Sequence, residues 1–290
     1  MISLLALGAG ISLSPDALAQ EAPKGLMGAK TATQGKEDVA VSGFAAPVGK
    51  LEESKDTTEL KISLGGLFAS GNSKSIAANG TTKLHVRRDD NQLDAAFAAN
   101  YGRAAVQGET AMRPTVENFQ GRMRYDRFVA SNVALFLSMS ALKDRFQGLD
   151  LRLNLDPGLA YYFLDVAKHR FWAEGGYDLQ SDFRRESAIN DALAKGEVLD
   201  RSEVRHNLRL FLGYENALNK QLTFDTGVEY LQALKETKNY RINWNAGLTS
   251  QVSGNFSIAT TLNLRYDHNP LPNIKNTDVV TAISLVYQLL

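Results

Sequence analysis

From Glu59 to the end of the chain, apolar side chains recur at every second position, the spacing that places them on one face of a pleated strand. No stretch reaches the run of about eighteen apolar residues that a membrane helix needs. Leu149, Leu151, Leu153 and Leu155 alternate with Asp150, Arg152, Asn154 and Asp156. Val204, His206, Leu208, Leu210, Leu212 and Tyr214 alternate with Glu203, Arg205, Asn207, Arg209, Phe211 and Gly213. The same division recurs in Leu60, Ile62, Leu64, in Tyr240, Ile242, Trp244, and in Val279, Thr281, Ile283, Leu285, Tyr287.

Read through to the end, this pattern predicts strands over 59–70, 75–88, 92–104, 115–129, 132–143, 149–164, 169–181, 201–215, 220–233, 239–252, 255–267 and 277–290. An even count near twelve puts both chain ends on one side, and segments of this length exceed the roughly nine to eleven residues of a tilted crossing. Connections after even strands are short, as in Arg88-Asp89-Asp90-Asn91 and Ser253-Gly254; those after odd strands are mostly longer, up to 182–200. Short periplasmic turns opposite longer outer loops are the habit of bacterial transmembrane barrels. Aromatic residues of the apolar set gather near both ends of the strands. Phe68, Tyr101, Phe119, Tyr177, Tyr230, Tyr240 and Tyr266 fall toward the long loops; Tyr125, Tyr161, Phe163, Phe171, Tyr214, Phe224, Phe256 and Tyr287 fall toward the short turns.

A soluble β-sandwich or lipocalin-like barrel also alternates, but it buries the apolar set inside. The paired aromatic belts and unequal connections favour an all-β, transmembrane, antiparallel up-and-down barrel over 59–290. In hydrocarbon every backbone donor and acceptor must be paired, and a sheet achieves this only by closing on itself.

Ahead of the barrel, residues 2–13 (ISLLALGAGISL) form a short apolar run, and Ala17-Leu18-Ala19 offers the small-x-small pattern of a cleavage site. These features predict a signal peptide over 1–19 and delivery to the bacterial outer membrane. Residues 20–58, rich in Ala, Gly, Lys and Glu, lack either periodicity and are expected to be a flexible periplasmic segment. Lys plus Arg and Asp plus Glu both number 32, so no excess of positive charge is available for nucleic acid. Cysteine is absent, which removes disulfides, thiol nucleophiles and cysteine metal sites.

The inward set carries Lys61, Lys83, Arg87, Arg122, Arg124, Arg152, Arg205, Arg209, Arg241 and Arg265 against Asp94, Asp126, Asp156, Glu174, Asp178, Glu203, Glu215, Asp225, Glu229 and Asp267. Signs segregate by strand, so opposite charges can pair across the ladder. Two readings stand side by side: a polar pore whose charges tune selectivity, or a narrow lumen in which the pairs satisfy one another.

Catalysis has little to rest on. His85 is expected to face the lumen, His169 to sit in a periplasmic turn, His206 to face lipid and His268 to lie in a loop; none is spaced to a nucleophile in a triad pattern. Neither a phosphate loop nor zinc or calcium spacing is present, so no cofactor or metal is expected.

Particular segments resemble a known family. Ile62-Ser63-Leu64-Gly65-Gly66-Leu67-Phe68-Ala69-Ser70-Gly71-Asn72-Ser73 is similar to the start of domain of unknown function 481, the salt-induced outer-membrane proteins, and Asn276-Thr277-Asp278-Val279-Val280-Thr281-Ala282-Ile283-Ser284-Leu285-Val286-Tyr287 is similar to its end. Between them, Arg122-Met123-Arg124-Tyr125-Asp126-Arg127-Phe128 and Leu159-Ala160-Tyr161-Tyr162-Phe163 resemble its aromatic strand ends. The resemblance implies an outer-membrane barrel with no established chemistry and no catalytic residues to carry over. The last residues, Leu289-Leu290, depart from the terminal aromatic that barrel assembly machinery commonly reads, leaving Tyr287 to serve in part. The expected role is a narrow, porin-like passive channel for small solutes or ions, or an envelope-stabilising protein. Its expected partners are outer-membrane lipid, lipopolysaccharide and the assembly machinery. Alternatives are an outer-membrane hydrolase with a loop-end site, or an adhesin-like surface protein using the 182–200 loop.

Overall fold

The computed structural model describes residues 56–69, 74–105, 111–145, 147–166, 168–270 and 276–289. The expected signal peptide and almost all of the 20–58 segment lie outside the described residues.

Twelve strands form: β1 (Asp56–Ala69), β2 (Lys74–Arg88), β3 (Asn91–Ala105), β4 (Arg113–Ala130), β5 (Val133–Asp144), β6 (Leu149–Val166), β7 (His169–Arg184), β8 (Ser202–Ala217), β9 (Leu222–Ala233), β10 (Tyr240–Ser253), β11 (Phe256–Asp267) and β12 (Thr277–Gln288). Each pairs antiparallel with its sequence neighbours, and β1 meets β12 from Lys61↔Gln288 to Leu64↔Leu285, closing the barrel. Strand β1 begins three residues before the expected boundary, at Asp56. Tight reversals at the short-turn end explain the registers. Asp89, between β2 and β3, takes φ 50°, and Gly254, between β10 and β11, takes φ 47°, the left-handed conformation that two-residue hairpin turns use.

Polarity is inverted relative to a soluble protein. Leu135, Leu137, Met139, Leu153, Leu208, Leu210, Leu212 and Leu248 are exposed on the exterior, whereas Arg124, Asp126, Glu174, Asp178 and Arg209 are buried inside. A surface of exposed leucines around a closed sheet is stable only against an apolar solvent, which makes this a transmembrane barrel. The two aromatic belts are present as ring contacts. At the short-turn end Phe163 packs on Tyr161 and Phe171, with centroids 4.9 and 5.3 Å apart, and Phe256 on Tyr287 at 4.8 Å. At the long-loop end Tyr240 touches Tyr230 and Tyr266, each at 5.9 Å.

Two features depart from the sequence reading. First, Leu149 is buried and Asp150 is exposed, the reverse of the alternation expected there. The register slips between Leu149 and Leu151 opposite Arg184 and Phe183, and this irregularity flips the parity of the strand's first residues. Second, the long connection after β7 contains a helix, α1 (Glu186–Leu193). It docks beside the β5–β6 turn: Gly148, at φ 68°, leaves room for Ala188, and its carbonyl accepts the Arg185 N–H at 2.7 Å.

Candidate functional site

The strands build a concave, polar surface on the inward face, and its character changes around the circumference. Along β4 to β9 the side chains lock into one another. Arg124 donates to Asp126 at 2.7 Å and reaches past two strands to Glu174 at 2.8 Å. Glu174 also accepts from Arg209 at 2.7 Å, and Arg209 donates to Glu229 at 2.6 Å. Glu229 accepts the Asn243 amide at 2.9 Å as well. Charge-assisted bonds of this kind are shorter and stronger than neutral ones, and buried ions are tolerated only when so paired. Beneath this chain lie rings: the Arg124 guanidinium sits 4.2 Å from the Phe136 centroid and that of Arg209 5.6 Å from the Phe211 centroid.

Those rings belong to an inward aromatic cluster of Phe128, Phe136, Tyr162, Trp172 and Phe211 with Ala134 and Ala160, all buried. It packs the β4 to β8 side of the bore, on the short-turn side of the ion chain. The cluster shares the parity of the inward charges: Phe128 follows Arg124 and Asp126, and Trp172 precedes Glu174. That parity was the available signal.

Nearer the long loops, Arg152 grips Asp182 with two bonds of 2.6 and 2.7 Å, and Arg241 crosses the interior to Gln180, which in turn donates to Asp182 at 2.9 Å. Asp178 accepts amide hydrogens from Asn154 and Asn207 at 3.0 and 2.6 Å. Arg122 donates to Ser138 at 2.9 Å, while Arg205 pairs along its own strand with Glu203 at 2.8 Å. Arg184 also bonds Glu203, a contact outside the sequence reading because that reading stopped the strand at 181. His85 faces inward and contacts Asp94 at 2.7 Å.

Around β11, β12 and β1 the interior is different. Arg265, Asn263, Thr261, Ser257, Ser284, Lys61 and Ser63 are all partly exposed. On the neighbouring strands β2 and β9, Lys83 and Asp225 are partly exposed too. At the short-turn mouth this sector widens into a cavity of about 410 Å³ lined by Lys61, Lys220, Thr223, Thr249, Ser257 and Gln288 among others. The packing of the interior is therefore a crescent: dense on one side, with partly exposed polar side chains on the other.

The remaining histidines belong to the rims. His206 bonds the Tyr177 hydroxyl, His169 lies 3.1 Å from that of Tyr214, and His268 stacks on Tyr240 at 4.7 Å with the Tyr266 hydroxyl at 3.0 Å. These are contacts with interfacial aromatics. Among the described residues no group of His, Asp and Glu has the geometry to hold a metal ion.

The profile of the family described as "Protein of unknown function, DUF481" matches residues 62–289. No curated protein matches the chain. Among solved structures, the NanC porin is 10% identical, with 79% of this chain and 97% of that chain covered and a TM-score of 0.46. An outer membrane channel from Pseudomonas putida F1 is 11% identical over 84% of this chain and 98% of that chain, with a TM-score of 0.47. The translocator domain of the autotransporter NalP from Neisseria meningitidis is 11% identical over 81% and 89%, with a TM-score of 0.44. Likeness of this order leaves the function to be argued from the chain's own interior.

Proposed function

The chain belongs to the DUF481 family of proteins of unknown function, and from that premise we propose that it is a narrow passive channel of the bacterial outer membrane for small hydrophilic solutes. Delivery there would use the signal peptide over 1–19, followed by the barrel assembly machinery acting on the strands. Outer-membrane lipid and lipopolysaccharide would be its surroundings.

The observation that carries the reading is the crescent. A protein kept only for its rigidity would gain by filling the whole bore, since each inward position packed by a ring or an ion pair adds buried contact. Here the filling ends along β10, where Arg241, Asn243 and Asn245 are still buried, and the remaining sector is lined by Thr, Ser, Asn and Gln with a few charges, side chains that replace the hydration shell of a passing solute without holding it. The packed sector narrows the passage, so small solutes are the class that fits.

Refolded full-length protein in a planar bilayer is expected to give discrete, stepwise current that scales with salt concentration. A barrel that inserts, as judged by protease protection, yet remains silent would remove the channel reading. It would favour the envelope-stabilising role, which the packed arc of β4 to β9 would then serve.

A further inference from the structure

Inward glycines mark where the bore is filled. An added Cβ at Gly158 would strike the Phe136 ring, one at Gly213 the Trp172 ring, and one at Gly227 the Phe211 ring at 2.6 Å. Each glycine is thus a notch on one strand that receives a ring from the strand before it. The series continues to Gly247 on β10, but there the lodged group is a carboxylate: a Cβ would lie 2.7 Å from Oδ2 of Asp225 and 2.8 Å from its Cγ. Gly247 and Asp225 face each other directly in register. Asp225 therefore stands where the packed sector ends and the open one begins. Its Oδ2 has no hydrogen-bond partner among the described residues.

On the other wall, Lys61 and Lys83 also face each other directly in register. Like charges so placed repel unless something compensates. Lys61 has Glu59 at 2.8 Å, whereas among the described residues no hydrogen bond or ion pair holds Lys83. Lys61 repels Lys83 from the facing position, and Asp225 carries the opposite charge on β9. In the closed order, β2 and β9 are separated by β1, β12, β11 and β10 on the open side, so the two groups confront each other across the open sector.

We propose that Lys83 and Asp225 are the charge-selecting pair of the passage. They meet a dipolar solute with matching ends, its carboxylate toward Lys83 and its ammonium toward Asp225. The inference rests on the channel reading and gives it a substrate class, small zwitterions. It also explains why the two groups are held apart, since a closed ion pair would leave neither end free. Glu215 on the same side as Asp225 is already occupied by Arg170 at 3.5 Å, and Lys61 by Glu59, so neither competes for the role.

The test uses full-length protein in bilayers and in liposomes. In a salt gradient, Asp225→Asn is expected to shift the reversal potential toward anions and Lys83→Gln toward cations, each by about fivefold in permeability ratio, the size of a water-screened unit charge at close range. In liposome swelling, glycine is compared with its uncharged isomer glycolamide; the wild-type preference for glycine should fall by a similar factor in the double variant. Opposite shifts from the two single variants support the proposal, and should one variant fail to insert, the sign obtained with the other decides. Conducting variants with unmoved reversal potentials overturn it while leaving the channel standing, whereas a silent wild-type barrel overturns both.

Discussion

The ion chain through the barrel interior can be tested by removing one member and counting what is left. Arg124 and Arg209 face Asp126, Glu174 and Glu229, so carboxylates already exceed guanidinium groups, with neutral Asn243 also donating to Glu229. Arg124→Met would remove one of the two guanidinium groups that bind these three carboxylates. Asp126, which bonds Arg124 through both Nε and Nη2 at 2.7 to 3.0 Å, would lose those donors. Breaking a buried pair so that a charge is stranded costs about 3–5 kcal/mol. Glu174→Gln removes a carboxylate instead: Arg124 keeps Asp126, Arg209 keeps Glu229, and the amide oxygen still accepts one bond. That change should cost about 1–2 kcal/mol, the scale of a weakened hydrogen bond. The prediction is therefore an order, with Arg124→Met clearly the more destabilising. Guanidinium unfolding in detergent micelles measures it, followed by tryptophan emission, because Trp172 lies two residues from Glu174 on the same strand. If Glu174→Gln proves equal to or worse than Arg124→Met, the network is not governed by charge balance and the reasoning fails.

Other consequences can be checked with the same preparation. Gly213→Val would drive a side chain into the Trp172 ring, and overpacking of this kind costs about 1–3 kcal/mol; a red-shifted tryptophan emission at a lower unfolding midpoint would report the displaced ring, and an unchanged spectrum would contradict the notch. Leu210→Arg puts a charge on the exterior near the middle of β8, where hydrocarbon makes it cost about 2–4 kcal/mol. A neutral effect on folding into lipid vesicles would mean that this band does not face acyl chains.

The alternation of Leu and Arg, or Leu and Asp, over successive segments was enough to place all twelve strands, with boundaries within a few residues of those observed. The period of a strand is a local property of backbone geometry, and the need to close a sheet in hydrocarbon is a property of the solvent. Neither requires knowledge of neighbours. Which face looked outward was equally legible, because the leucine rows are too long and too regular to be wrapped around a bore already crowded with arginine and glutamate. Parity failed at Leu149 and Asp150, where an irregularity shifts the ladder, and such shifts depend on the partner strand.

What the interior does depended on the tertiary structure. That Arg124 reaches Glu174, or Arg241 reaches Gln180, is set by strand tilt and curvature across residues 50 and 61 positions apart, distances over which no sequence periodicity speaks. The pairing of glycine notches with rings, and its end at Asp225 on Gly247, arises from register between strands. Charges could be assigned to the inside from their spacing alone, but whether they seal the bore or border a passage depends on how much volume the rings and ion pairs occupy once the sheet has closed.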